Sequence, residues 1–227
     1  MLKNKKIYII LLLLMVIMTF MSACGEEVAD LTEETSDVKL DQYLTAPVPD
    51  GKPNPVEWQD AEIDTEEKKT CTLEIRCDSI FDYMNDFNED KLTVLPDDGY
   101  IYKKKTVEFY EGESVFNVLL REMKQNAIHL EFTMTPIYNS NYIEGINNIY
   151  EFDCGELSGW MYKVNGWFPN YGASRYKLEQ DDEIIWVYTC DLGRDIGGEY
   201  VLQHPSNDED DEDDEDEKSD SDDKDNN

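Results

Sequence analysis

The side chains best equipped for recognition chemistry in this 227-residue chain are aromatic, and they crowd into one stretch. Ser158-Gly159-Trp160-Met161-Tyr162-Lys163-Val164-Asn165-Gly166-Trp167-Phe168-Pro169-Asn170-Tyr171-Gly172 is followed by Tyr176 and by Ile184-Ile185-Trp186-Val187-Tyr188. Strand alternation puts Trp160, Tyr162 and Val164 on one face, and likewise Ile184, Trp186 and Tyr188. If the two strands are neighbours, their rings form a contiguous patch suited to a broad, flat, semi-apolar molecule. The candidate ligand-binding residues are therefore Trp160, Tyr162, Trp167, Phe168, Asn170, Tyr171 and Tyr176, with Ser174 and Arg175 on a polar rim. The competing reading is that Trp160 and Trp186 face a core. Trp167, Phe168 and Tyr171 sit just beyond a hairpin tip among Gly, Pro and Asn, where loops carry binding residues.

Cysteine is the second reactive set. Cys71, Cys77, Cys154 and Cys190 are even in number, as a disulfide framework requires. A strand over Cys71 to Cys77 would hold those two Cα atoms ~20 Å apart, beyond the ~7 Å limit for a bridge, so each is expected to pair with Cys154 or Cys190. Parallel first and last strands would favour Cys77 with Cys190 and Cys71 with Cys154. A metal site is not expected, because there is no Cys-x-x-Cys and the only histidines are His129 and His204. Nor is catalysis: Gly112-Glu113-Ser114-Val115-Phe116 lacks the second glycine of a nucleophile elbow, and its serine opens a helix.

Several elements must position these groups. Apolar residues at Val115, Phe116, Leu119, Leu120 and Met123 fall three and four apart, which predicts one main helix over Glu113–Lys124 with Ser114 as N-cap. Strands are predicted at Cys71–Cys77, Thr106–Tyr110, Ile128–Met134, Ile149–Phe152, Gly159–Val164 and Glu183–Thr189. A less regular helix is expected over Ser79–Phe87 and a turn at Leu95–Gly99. Asn165-Gly166 is the pair a type I′ hairpin turn demands, since both residues need positive φ. The result is an α+β fold, a β-grasp-like mixed sheet packed on one main helix, spanning residues 70–198.

The flanks differ sharply in composition. Lys3, Lys5 and Lys6 precede an apolar run of about 15 residues, too short for an ordinary spanning helix, which reads as a secretory signal over residues 1–23. Met21-Ser22-Ala23-Cys24 resembles the bacterial lipoprotein box, with Met21 where Leu is usual, so Cys24 is the expected lipidation site and the chain is expected on the outer face of a Gram-positive-type cell membrane. Residues 24–69, acidic and bearing Pro47, Pro49, Pro53 and Pro55, read as a flexible stalk. Residues 199–227 include ten consecutive acids, Asp208 to Glu217, and read as a disordered acidic tail. With a net charge of −32, nucleic acid is excluded as a partner by repulsion of its phosphates.

The elements Gly159–Gly166 and Asp181–Thr189, together with Glu111–Leu120, resemble the DUF4430 family, which is similar to the C-terminal domain of the animal cobalamin carriers transcobalamin and intrinsic factor. The resemblance spans roughly residues 105 to 191, with Asp181 where the family carries glycine. It implies a β-rich domain that closes over one face of a ligand with backbone and aromatic groups. The expected function is thus a non-catalytic cell-surface module that requires no cofactor and captures cobalamin or a related corrinoid for a transporter. The alternative is an adhesive or scaffold domain with a protein or glycan partner at the cell wall.

Overall fold

A computed structural model describes residues 39–198 of the chain. The expected signal peptide, Cys24 and the acidic tail lie outside the described residues. The fold is α+β: β1 (Asp64–Arg76), β2 (Tyr100–Glu111), α1 (Val115–Gln125), β3 (Leu130–Thr135), β4 (Ser140–Ile146), β5 (Ile149–Tyr150), β6 (Gly159–Val164) and β7 (Glu183–Thr189), joined by short 3-10 turns. A four-stranded sheet runs in the order β2-β1-β7-β6, and a three-stranded sheet in the order β3-β4-β5. The β1–β7 pair is parallel, with Thr72 opposite Glu183 and Arg76 opposite Val187; β1–β2 and β6–β7 are antiparallel.

Alternation explains which face of the larger sheet is covered. On β1, Cys71, Leu73 and Ile75 are buried, while Thr72, Glu74 and Arg76 between them are half-buried. Their buried counterparts Val107 and Phe109 on β2, Ile184, Trp186 and Tyr188 on β7, and Trp160, Tyr162 and Val164 on β6 share one core with Val115, Phe116, Val118, Leu119 and Met123 of α1. Each such aliphatic or aromatic side chain contributes on the order of 1.5–3 kcal/mol relative to exposure. Helix α1 starts where expected. The Ser114 hydroxyl accepts from the Asn117 amide at 3.3 Å and the Asn117 side chain accepts from the Ser114 amide at 2.9 Å, a capping box built with Asn.

Four elements depart from the sequence expectation. β1 and β2 are longer, because charge pairs extend the ribbon: Lys68 meets Glu108 at 2.9 Å and Lys69 meets Glu111 at 2.5 Å. β4 was not anticipated; Ser140, Asn141 and Gly145 have little strand preference, and pairing with β3 overrides it. Only a 3-10 turn, Asp78–Tyr83, occupies the region of the irregular helix.

The cysteine expectation is corrected. All four described cysteines are free and buried. The β1–β7 pair is parallel, the condition under which the expected pairings were drawn, and its register puts Cys71 beside the Asp182–Glu183 end of β7 and Cys77 at the end that leads to Cys190. The sulfurs brought together are those of Cys154 and Cys190, 3.0 Å apart, and not those of the expected pairs Cys71–Cys154 and Cys77–Cys190.

Residues 39–63, read from composition as part of a flexible stalk, lie along the domain as a strap. Proline and acidic content concealed this, because the strap is held by single polar contacts with no period. Near its end the chain crosses so close to Gly112 that a Cβ there would lie 2.0 Å from the Glu62 carbonyl oxygen; with φ at +91°, that position requires glycine.

Candidate functional site

The hairpin turn is built as the sequence demands. Asn165 and Gly166 have φ of 52° and 78°, and Val164 and Trp167 exchange backbone hydrogen bonds at 2.9 and 3.0 Å. The Asn165 side chain also ties the turn to β7, donating to Asp182 at 2.7 Å and accepting from the Glu183 amide at 2.9 Å. From there residues 167–176 fold back over the end of β6. The Tyr162 hydroxyl pins them by donating to the Tyr171 carbonyl at 2.7 Å.

This geometry brings most of the predicted site residues together. Tyr162 lies against Trp186 with ring centroids 5.4 Å apart and edge-on to Tyr176 at 6.3 Å. Tyr176 stacks on Tyr171 at 6.1 Å, and Trp167 meets both, at 6.0 and 6.5 Å. The five rings form one continuous cluster. Trp160 belongs to a separate pair, edge-on to Tyr188 at 5.2 Å, with its indole N–H donating to the Ile149 carbonyl at 2.9 Å.

Exposure divides the candidates. Trp160, Tyr162, Tyr171 and Tyr176 are buried side chains of the core, at 3–8% exposure. Trp167 and Phe168 are half-buried and Asn170 is exposed. Lys52 stands 5.5 Å from the Trp167 ring, the open edge of the cluster; Phe168 is not one of its rings and has Lys163 5.5 Å from its own. Within the cluster the Trp186 indole N–H is buried with no partner among the described residues.

Arg175 was expected on a polar rim and is instead 1% exposed. Its guanidinium bonds Asp41 at 2.7 Å, Glu57 at 2.6 Å and the Thr45 hydroxyl at 2.6 Å, and its carbonyl accepts from the Val56 amide at 2.8 Å. Asn170 donates to the Ala46 carbonyl at 3.0 Å and Tyr171 to the Pro53 carbonyl at 2.7 Å. The strap is thus fastened along residues 170–175, beside the aromatic edge. Asp41, Thr45, Lys52 and Glu57 escaped sequence reading. The one available signal was local: the Asp41 carboxylate accepts from the Tyr43 and Thr45 amides at 2.8 Å, an Asx-type turn inside the supposed stalk.

Electrostatics follow from burial. Desolvation pushes the phenols of Tyr162, Tyr171 and Tyr176 well above the usual tyrosine range, so at neutral pH they act as hydroxyl donors and apolar walls. Burial works against the charged Arg175, but its bonds to Asp41 and Glu57 outweigh it and hold the guanidinium above its ordinary value. For Asp41, burial favours the neutral acid, yet the Thr45 amide and Arg175 win and its pKa is lowered. Other buried acids also have structural work: Glu122 accepts from Tyr102 at 2.8 Å, and Glu113 from the Tyr110 amide at 2.8 Å and Arg121 at 2.5 Å. Among the described residues no group of three His, Cys, Asp or Glu side chains is gathered to hold a metal ion.

Two solved structures are similar in part. Haptocorrin in complex with Cbi aligns at 14% identity with a TM-score of 0.40, covering 58% of this chain and 27% of the haptocorrin chain. A proposed metal-binding protein from Ruminococcus gnavus aligns at 14% identity with a TM-score of 0.31, covering 53% of this chain and 96% of its own. This chain therefore spans little more than a quarter of haptocorrin's length. No curated protein matches it. The family model of DUF4430, a domain of unknown function, matches residues 112–190, from the glycine before α1 to the cysteine after β7, leaving β1 and β2 outside.

Proposed function

We propose that this chain is a non-catalytic binding module, held at the outer face of the cell membrane by a lipid on Cys24, that captures a broad, flat small molecule for uptake. The observation that carries the reading is the open edge at Trp167: a half-buried ring backed by buried Tyr171 and Tyr176, with Lys52 over it and half-buried Phe168 and exposed Asn170 following in the chain. Such an edge offers stacking surface with polar groups at its margin, the composition of a small-molecule site. Cobalamin or a related corrinoid is the ligand class suggested by the resemblance of Gly159–Gly166 and Asp181–Thr189 to the cobalamin carriers' domain. Tyr162 supports the edge from the core rather than touching the ligand, and Trp160, paired with Tyr188 outside the cluster, takes no part in it. We read the order β2-β1-β7-β6, with α1 following β2, as a β-grasp elaborated by a second sheet. Residues 25–38 serve as tether, the acidic tail as solvated spacer, and a transporter as recipient. The structural employment of Glu113, Ser114 and Glu122 supports a role without catalysis.

A second reading is favoured by a different region. On the β3–β4 hairpin, Phe132, Met134, Ile137 and Tyr138 are exposed at 37–56%, and β3 is a sheet edge; this suits an adhesive or scaffold domain that docks a protein. The readings separate in one experiment. The chain lacking residues 1–24 is titrated with cobalamin and with cobinamide while its melting temperature is followed. Binding predicts a rise that grows with ligand concentration, equivalent to about 2.7 kcal/mol at one hundred times Kd. An unmoved melting temperature at millimolar ligand contradicts the corrinoid reading.

A further inference from the structure

The four cysteines of the domain divide into one pair and two solitary thiols, and the pair is placed for covalent chemistry. Cys154 and Cys190 are 2% and 6% exposed, with sulfurs 3.0 Å apart. That is inside the ~3.5–4.0 Å of ordinary non-bonded contact and about 1 Å from the ~2.05 Å of an S–S bond. Their backbones are fixed by groups other than sulfur. The Cys154 amide donates to the Ser158 hydroxyl at 3.0 Å, and the neighbouring Asp153 carbonyl accepts from the Asn88 amide at 2.7 Å. The Cys190 amide donates to Asp195 at 2.8 Å. Bond formation would complete a site already built rather than distort the fold. Cys71, by contrast, lies opposite Val107 and beside the start of β7, and Cys77 is turned toward the Gly99 turn, whose carbonyl accepts its amide at 2.7 Å.

We propose that in an oxidising compartment Cys154 and Cys190 are joined by a disulfide while Cys71 and Cys77 remain thiols. The reaction is thiol–disulfide exchange with a small-molecule or protein disulfide as oxidant. One cysteine sulfur, after losing its proton, attacks the oxidant and releases one of its thiols. The second cysteine, also deprotonated, attacks the mixed disulfide and releases the other. One S–S bond forms as one breaks, two electrons reach the oxidant, and both protons end on its sulfurs. Burial holds both protein thiols above their usual range, so little thiolate is present once the reduced chain has folded; the exchange runs while the chain folds or when the loop opens.

The consequence is topological. The ring of chain closed between residues 154 and 190 contains β6, β7 and every aromatic residue of the cluster, so oxidation braces the face that carries the open edge. It also joins the connection after β5, in the small sheet, to the end of β7, in the large one. This proposal is independent of what that edge binds.

To test it, the full-length chain extracted in detergent is unfolded, refolded in a mixture of reduced and oxidised glutathione, denatured, alkylated, digested and mapped by mass. The expected result is a peptide linking Cys154 to Cys190, about 2 Da lighter than its reduced components, with Cys71 and Cys77 alkylated. Alkylated Cys154 and Cys190, or a link from either to Cys71 or Cys77, would overturn it. Dithiothreitol should lower the melting temperature of the oxidised chain by about 10 °C, as expected for a closed loop of this size. That response should persist in Cys71→Ala and vanish in the Cys154→Ala/Cys190→Ala double variant. Should the double variant fail to fold, the peptide map of the unmodified chain decides alone.

Discussion

The segment after β6 and the β3–β4 hairpin carry similar numbers of large apolar side chains and treat them in opposite ways. After β6, Tyr171 and Tyr176 are buried and a strap clamped by Arg175 runs alongside, leaving only Trp167 and Phe168 half open. On the hairpin, Met134, Ile137 and Tyr138 face solvent, Phe132 is partly covered edge-on by Phe116 of α1, and the strap bonds the tip, where the Trp58 indole donates to Asn139 at 2.8 Å. Aromatic density along the sequence therefore marks where the core is, not where the free surface is. Free surface arises where an element lacks a partner, which depends on chain passing from elsewhere.

The largest effect on this contrast should come from Arg175→Met. It removes the cation that two strap carboxylates share and leaves Glu57, which is 18% exposed, without its charge partner. A loss of roughly 3 kcal/mol is expected by urea denaturation, at the lower end for broken buried pairs because Asp41 keeps access to water. Arg175→Lys should recover only part, since an ammonium cannot reproduce the fork that reaches Asp41, Glu57 and Thr45 together.

Next in size are two pH effects of opposite sign. The phenols of Tyr162, Tyr171, Tyr176 and Tyr188 have raised folded-state pKa values, with burial as the first cause. Their contribution is complete below the unfolded tyrosine value of about 10 and is lost as pH rises beyond it. Absorbance should show these phenols ionising only as the protein unfolds. Asp41 has a lowered pKa, so its share is complete above the ordinary value of 3.8 and is lost as pH falls through the folded one. Hydrogen exchange of residues 41–57 should accelerate there before that of β6 and β7. Simultaneous loss would mean the strap is not a separable unit.

What the sequence disclosed follows from the range of the interactions involved. β6, β7, their Asn-Gly turn and the Ser114 cap are specified by neighbours a few residues apart, and each was legible. The parallel β1–β7 pairing entered only as a condition, and the cysteine partners were misassigned because Cys154 sits in the connection after β5, whose approach to the end of β7 no local pattern specifies. β4 is held by pairing with β3 despite a polar start, and the strap by contacts more than a hundred residues away in sequence, such as Asp41 with Arg175. At the site, the aromatic cluster was found and its exposure misjudged. Trp160, Tyr162, Tyr171 and Tyr176 alternate with polar residues as either a core or a binding face would.

The smallest structural perturbations give the sharpest functional comparison. Ile137→Ser, at a residue 56% exposed, should leave stability within about 0.5 kcal/mol of the parent. Trp167→Ala, at the open edge, should cost more but leave the fold intact. The decisive measurement is the cobalamin-induced rise in melting temperature of these two variants beside the unaltered chain. The account predicts that the rise survives Ile137→Ser and is lost in Trp167→Ala; loss in Ile137→Ser with retention in Trp167→Ala would place the ligand on the hairpin and contradict it.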